Sequence, residues 1–203
     1  MKYFKGKTVI GITGGIGSGK SMFCRMISEN GYKVISADFV AKDLYIKNKN
    51  LSKKLVSAFG KDILNFKGKI ILPKLKEIIF SSKKNFLKVN SIVHPVVTDT
   101  IKQDIKKAKE KVIIVEAALI FESKFDKMLD YVITVFSNKK TRIDRIVLRD
   151  GSKKRDVERV IKLQMDDRLK VEKSDFVVVN NKTIEDLYNQ AEILGKIIKI
   201  ISK

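Results

Sequence analysis

The chain has 203 residues and a formal net charge of +20, from 43 lysines and arginines against 23 aspartates and glutamates. An apolar fraction of 44% is typical of a folded domain and excludes a disordered chain. No apolar run approaches the roughly 18 residues of a membrane span. The N-terminal segment, MKYFKGKTVIGITGG, lacks the uninterrupted apolar core of a secretory signal, so we expect a cytoplasmic protein.

The positive charge favours anionic partners such as nucleotides, nucleic acids or acidic lipids. The lysines are spread over nearly every segment, and aromatic residues do not interleave with them as in a stacking surface for bases. We therefore predict small anionic substrates, with no nucleic-acid or membrane partner, for a monomer or weak homo-oligomer. Cys24 is the single cysteine and is expected to pack as a small apolar residue on a helix.

Apolar runs rich in branched residues predict buried strands, and segments with helical spacing lie between them. The predicted strands are 8–13, 33–36, 112–116, 131–136 and 176–179. The predicted helices include 20–30, 51–59, 91–109, 139–149, 153–171 and 183–201, the first closed by Asn30 and Gly31 and the last opened by Thr183. Because no run alternates strictly, both faces of the sheet are expected to be covered. This order predicts a three-layer α/β fold with a five-stranded parallel sheet.

Two segments are too long for simple connections, although residues 1–203 are predicted to form a single domain. Residues 39–111 are predicted to form a helical insertion, with breaks at Pro73 and at His94-Pro95. Residues 137–172 are charged and helical, and they lie between the fourth and fifth strands, where a lid is expected.

A glycine-rich segment between the first strand and the first helix fits the pattern G-x-x-x-x-G-K-[ST]. Its residues are Gly14, Gly15, Ile16, Gly17, Ser18, Gly19, Lys20 and Ser21, and Met22 follows them in the predicted nucleotide site. Glycines let successive backbone N–H groups approach phosphate oxygens, and the next helix directs its positive end there. Lys20 is expected to reach the β and γ phosphates, and Ser21 to offer its hydroxyl to Mg²⁺. The segment therefore predicts binding of a nucleoside triphosphate.

Switches, motors and small-molecule kinases all carry such a loop, so other residues must distinguish them. A GTPase is expected to have an N-K-x-D sequence after the fourth strand. The segment SNKKTR has the Asn and Lys, but Thr141 stands where Asp is needed. The sequence therefore disfavours a GTPase switch.

Two carboxylates end predicted strands and are candidates for catalysis and metal binding. Asp38 follows the second strand, where it is expected to take the proton of an acceptor hydroxyl; the alternative is an N-cap for a helix starting at Phe39. Glu116 ends the third strand, where an acid commonly holds Mg²⁺; the alternative is a structural role.

Arginine and histidine side chains supply the other candidates. Arg142, Arg145 and Arg149 share one helical face and suit the clamping of a transferring phosphate, although ion pairs with Asp144 and Asp150 explain them almost as well. His94, the only histidine, is expected at a helix start or turn; a structural role is the commoner one, and a substrate-side role is the alternative.

At this point the chain resembles the dephospho-CoA kinases almost end to end. The segments that carry the resemblance are GITGGIGSGKS, VISADFVAKDL, FGKDIL with Gly68 following, IVHPVV, EAALIFES, RIDRIVLRDG, VIKLQM and SDFVVVNN. The resemblance implies a P-loop, nucleoside-monophosphate-kinase-like fold, whose helical insertion holds the CoA-like substrate. It also implies transfer of the ATP γ-phosphate to the ribose 3′-hydroxyl of dephospho-CoA, the last step of CoA synthesis.

By the same resemblance, Asp38 corresponds to the general base, Arg145 and Arg149 lie in a phosphate-facing lid, and His94 borders the acceptor pocket. The sequence departs from the family pattern at a few positions, which are Met22, Ser36, Ile71 and Leu72. The change at Met22 removes a hydroxyl from the α-phosphate side of the nucleotide site, whereas the changes at Ile71 and Leu72 concern acceptor binding more than the chemistry. Two other functions stay open: a nucleoside or nucleoside-monophosphate kinase, and a basic nucleic-acid-binding ATPase.

Overall fold

The computed structural model describes residues 3–202, and it confirms the predicted parallel sheet. The strands are β1 (Thr8–Thr13), β2 (Lys33–Ser36), β3 (Val112–Glu116), β4 (Tyr131–Phe136) and β5 (Phe176–Val179). All neighbouring strands are parallel, in the order β2-β3-β1-β4-β5. The carboxyl ends of the strands therefore meet at one edge of the sheet.

Helices connect the strands and also fill the long segment between β2 and β3. They are α1 (Lys20–Glu29), α2 (Ala37–Lys47), α3 (Lys49–Phe59), α4 (Leu72–Ser81), α5 (Lys83–Lys107), α6 (Lys139–Asp150), α7 (Lys154–Leu163), α8 (Asp167–Glu172) and α9 (Ile184–Ile201). As predicted, Asn30 ends α1, and Thr183 caps α9 in a reciprocal bond with Asp186. In the part of the chain that the structure describes, no helix is long and apolar enough to cross a membrane.

The described residues divide into two compact units. The sheet unit comprises residues 3–36 and 108–202, and the helical unit comprises Ala37–Lys107. The core of the sheet unit lies where β1 and β4 pack against α1 and α9. Its most buried side chains include Ile10, Ile12, Phe23, Ile27, Ile133, Val135, Leu187 and Ile198. Cys24 belongs to this core and is 2% exposed, which confirms its predicted apolar role.

The edge strands differ from the prediction that both faces are covered. β1 is buried at every position, whereas Ile35 is the buried residue of β2 and Val178 is the buried residue of β5. Each of these two strands lies at an edge of the sheet and pairs on one side only. The side chains of β2 other than Ile35, and of β5 other than Val178, are therefore partly or fully exposed.

The predicted break at His94-Pro95 is wrong, because α5 continues through it from Lys83 to Lys107. His94 therefore lies inside a helix and not at a helix start or turn. Pro95 faces solvent, while the opposite face buries a stripe that includes Val93 and Val97. An interior proline costs a helix about 3 kcal/mol, and burial of this stripe offsets that cost. Pro73 does mark a boundary, because it lies in the first turn of α4.

The predicted helix 153–171 is wrong at its centre, because α7 ends at Leu163 and α8 begins at Asp167. The side chain of Asp166 accepts a hydrogen bond from the backbone N–H of Arg168 at 2.8 Å. Aspartate at an N-cap favours a new helix start over continuation of the previous helix. The short connection 164–166 thereby becomes available for contacts with other segments.

Candidate active site

The glycine-rich segment forms a tight loop between β1 and α1. Gly17 and Gly19 have φ angles of 79° and 90°, a left-handed conformation that favours glycine. Gly19 is the N-cap of α1, and within the described residues no side chain caps the helix. The first N–H groups of α1 therefore point into the loop, as an anion site requires.

Lys20 and Ser21 both contact Glu116. The Nζ atom of Lys20 lies 2.7 Å from Oε1 of Glu116, and 8% of each of the two side chains is exposed. The hydroxyl of Ser21 donates to the same oxygen at 2.6 Å. Glu116 can be reached because it ends β3 opposite Ile12 of β1, directly beside the start of the loop.

The ionisation of Glu116 depends on these neighbours. Burial by itself raises the pKa of this carboxyl. The charge of Lys20 and hydrogen bonds from Lys20, Ser21 and Ser36 outweigh burial, so the pKa lies below its ordinary value of 4.5. Ser36 thus supplies a hydroxyl that favours ionised Glu116.

The oxygen donors at this point fit Mg²⁺, a hard cation that prefers oxygen ligands. Ser21 and Glu116 supply a hydroxyl and a carboxylate oxygen 2.6 Å apart. Within residues 3–202, no group of three or more His, Cys, Asp or Glu residues is placed to hold a metal ion. A metal here therefore needs ligands from phosphate and water, as is usual for Mg²⁺ at nucleotide sites.

The three arginines of α6 have different environments. Arg142 is 1% exposed, donates from Nε to the carbonyl of Ile16 at 2.8 Å, and pairs with Asp167. Arg149 forms a two-pronged ion pair with Asp150, with both N–O distances 2.7 Å. Seven residues beyond Arg142, it lies about 10 Å further along the helix axis. The structure therefore brings Arg142 to the loop but not Arg149.

Arg145 lies next to the loop, and its hydrogen-bond partners are neutral side chains. Its guanidinium donates to the hydroxyl of Ser137 at 3.3 Å and to Oδ1 of Asn180 at 3.2 Å. In the described part of the chain, no carboxylate pairs with Arg145. Asn180 in turn donates to the carbonyl of Ser18 at 2.8 Å, so Arg145 is connected to the loop through one side chain.

Asp38 and His94 belong to the helical unit. The alternative for Asp38, an N-cap for a helix starting at Phe39, is wrong because α2 begins at Ala37. Asp38 is exposed in the first turn of α2, where the helix dipole favours a negative charge. Together with burial, its charge raises the pKa of Tyr45 to about 12. His94 is half-buried within α5.

Comparison with known proteins identifies the family. The family model described as Dephospho-CoA kinase matches residues 8–186. The chain belongs to the dephospho-CoA kinase family. It is 40% identical over 184 residues to a dephospho-CoA kinase of Fusobacterium nucleatum, a match that covers 91% of this chain and 95% of that relative. It is 35% identical to one of Arabidopsis thaliana over 187 residues, covering 91% of this chain and 81% of the relative.

A solved structure of this family agrees with the fold. The dephospho-CoA kinase of Campylobacter jejuni matches with a TM-score of 0.63 and 26% identity, covering 95% of this chain and 98% of that one. The predicted P-loop kinase fold is therefore confirmed.

Two side chains from the last segments of this dephospho-CoA kinase family member contact the loop and were not predicted from the sequence. Asn180 follows β5 directly, and the rule that side chains after parallel strands line the ligand crevice would have identified it. Gln164 accepts a hydrogen bond from the backbone N–H of Ile16 at 2.9 Å. Gln164 was not identified because one continuous helix was predicted over 153–171. Asp166, which caps the start of α8, was the residue that could have indicated a break there.

Proposed function

We propose that the chain transfers the γ-phosphoryl group of ATP to the ribose 3′-hydroxyl of dephospho-CoA, giving CoA and ADP. Membership of the family supports this reaction, and one observation carries it. Lys20, Ser21 and Glu116 meet within hydrogen-bond distance beside the uncapped start of α1. That arrangement suits the binding of a triphosphate and its metal.

The proposed roles begin with the loop. The amides from Gly14 to Met22 surround the phosphates, and the ammonium of Lys20 leaves Glu116 for the β and γ oxygens. Arg145, which lacks an acidic partner among the described residues, adds positive charge as the γ-phosphoryl transfers. Arg149 must first leave its ion pair with Asp150 before it can add positive charge next to the transferring phosphoryl group.

Ser21 and Glu116 are the residues that would hold Mg²⁺, through the hydroxyl and the carboxylate. When bound, the ion neutralises charge that develops on the phosphate oxygens. The lowered pKa of Glu116 keeps its carboxylate ionised at neutral pH, which suits a cation ligand.

Asp38 is the proposed general base, which orients the 3′-hydroxyl and accepts its proton. Its support is the motif it shares with the family and its position two residues after β2. The helical unit, predicted as 39–111 and observed as Ala37–Lys107, is proposed to hold dephospho-CoA, with His94 on the substrate side. Residues 137–172 are proposed to act as the lid that excludes water.

The wider setting is also part of the proposal. The protein is proposed to act in the cytoplasm as a monomer or weak homo-oligomer, without a nucleic-acid or membrane partner. The charge of +20 then serves to attract two anionic substrates.

An acceptor panel tests this function. The chain is incubated with Mg²⁺ and ATP plus dephospho-CoA, uridine, CMP or single-stranded RNA, and ADP formation is measured. We expect phosphorylation of dephospho-CoA, with loss of transfer in Lys20→Ala. Phosphorylation of uridine or CMP but not of dephospho-CoA would contradict the proposal, and so would RNA-stimulated ATP hydrolysis with no phosphorylated acceptor.

A further inference from the structure

The connection between α7 and α8 and the first residue of α8 contact several other segments. Gln164 accepts from the N–H of Ile16 at 2.9 Å, as described above. The next residue, Met165, donates its own N–H to Glu122 at 2.9 Å. The first residue of α8, Asp167, pairs with Arg142 of α6. This end of the proposed lid region is therefore attached to the glycine-rich loop.

Arg142 contacts the same turn of the loop from its other side. Its Nε atom donates to the carbonyl of Ile16 at 2.8 Å, so both backbone polar groups of Ile16 have a side-chain partner. The neighbouring glycines pack directly on Arg142. A Cβ atom added at Gly15 would lie 2.7 Å from Nη1 of Arg142, and one added at Gly17 would lie 2.7 Å from its carbonyl oxygen.

These contacts restrict a segment whose glycines would otherwise allow several backbone conformations. Ile16 stands between two glycines, and glycine backbones adopt more conformations than those of other residues. A turn that is ordered before the ligand arrives binds more tightly, because less conformational entropy is lost on binding. The charge of Arg142 is balanced by Asp167, unlike that of Arg145, so Arg142 suits a supporting role.

We propose that Arg142 and Gln164 are positioning residues that hold the Ile16 turn in the conformation that receives the triphosphate. They act on ATP through the loop. The inference rests on the proposed function only in taking ATP as the nucleotide, and it assigns no role in binding dephospho-CoA.

The chain supplies a matched control for Gln164. Gln190 on α9 accepts a hydrogen bond from the backbone N–H of Val179 at 3.0 Å, as Gln164 does from Ile16, and it also donates to the carbonyls of Val179 and Asp186. Gln164→Met and Gln190→Met each remove an amide acceptor and keep a side chain of similar length. The dissociation constant of Mg²⁺-adenylyl imidodiphosphate is measured by calorimetry on each full-length variant without acceptor. We expect Gln164→Met to raise it about tenfold and Gln190→Met to leave it within about twofold.

A double variant distinguishes two residues that act on the same turn from two residues that act independently. If Arg142→Met and Gln164→Met each weaken binding about tenfold, residues acting on one turn should give a double variant weakened about 10- to 20-fold, whereas independent residues give about 100-fold. Positioning of the nucleotide also predicts that the KM for dephospho-CoA stays within about twofold in Gln164→Met.

Three results would overturn the inference: unchanged affinity in Gln164→Met, an equal loss in Gln190→Met, or full additivity in the double variant. If Arg142→Met does not fold, the comparison of the two glutamine variants decides alone. A wild-type chain that binds the analogue but does not phosphorylate dephospho-CoA would refute the proposed function, while the comparison of affinities would still test the positioning role.

Discussion

The ammonium of Lys20 lies 2.7 Å from Oε1 of Glu116, although the two residues are 96 positions apart in the chain. Register explains the contact, because Glu116 ends β3 opposite Ile12, and the loop leads from β1 to Lys20. In the proposed function, a nucleotide phosphate and Glu116 are alternative partners for this one cation. In the proposed reaction Lys20 changes partner when ATP binds, which leaves Glu116 to the metal.

The pH dependence of stability should report the state of Glu116. Removing one charge from a buried pair costs about 3 kcal/mol, so Glu116→Gln should lower the free energy of unfolding by about that amount at pH 7. Because the folded-state pKa is lowered, the stabilising effect is complete above about pH 4.5 and is lost as pH falls through the folded pKa. Urea unfolding of both proteins at several pH values measures this difference.

The exposed pair of Asp43 and Lys47 provides the control for that experiment. Asp43→Asn should change the free energy of unfolding by less than about 0.5 kcal/mol at every pH. A difference between wild type and Glu116→Gln that stays constant from pH 7 to well below pH 4 would contradict the assigned pKa shift.

Removal of the proposed base should affect turnover and not nucleotide binding. We expect Asp38→Asn to keep the affinity for ATP and to lower kcat by about 10² or more, the usual contribution of a general base. Asp43→Asn, on the same helix, should stay within about twofold of wild type. Steady-state kinetics with dephospho-CoA measures both, and unchanged turnover in Asp38→Asn would exclude Asp38 as the base.

The arginines of α6 should differ in importance according to their partners. Arg145 has only neutral partners among the described residues, whereas Arg149 is paired with Asp150 on an exposed part of the helix. We expect Arg145→Ala to lower kcat/KM for ATP at least about tenfold more than Arg149→Ala does. Arg159→Ala on α7 serves as the control. Equal losses at Arg145 and Arg149 would show that Arg149 leaves Asp150 and takes part in transfer.

Cys24 should be unreactive in the folded protein. Burial is the main cause that raises the pKa of its thiol, and the charge of Glu116 adds to it. Because the reactive form is the thiolate, alkylation by iodoacetamide at pH 8 should be about 10² or more slower in the native protein than in urea. Mass spectrometry over time measures the two rates, and similar rates would mean that the core around α1 opens readily.

The sequence predicted the elements whose signals are local. The runs that form β1, β3 and β4 are mostly apolar, as is typical of buried strands, and the glycine-rich loop follows a fixed pattern. The edge strands were also located, although their exposure was not predicted. The exposure of these side chains depends on which strands lie outermost in the sheet. The sequence of a single strand does not determine the order of the strands.

Contacts between distant segments were not predictable in the same way. Asn180 and Gln164 reach the loop because β5 lies beside β4 and because a helix ends at Leu163. The continuity of α5 through Pro95 was likewise missed, since the local effect of proline is outweighed by burial on the opposite face. Tertiary packing decided each of these cases.

The position of the transferred phosphate tests the central claim most directly. The chain is incubated with Mg²⁺, ATP labelled in the γ-phosphate and dephospho-CoA, and the product is analysed by mass spectrometry and phosphorus NMR. The proposed function predicts one labelled phosphate on the ribose 3′-oxygen, with one ADP formed per CoA and no such product from Lys20→Ala. Label found only in inorganic phosphate, or on another position of the acceptor, would contradict it.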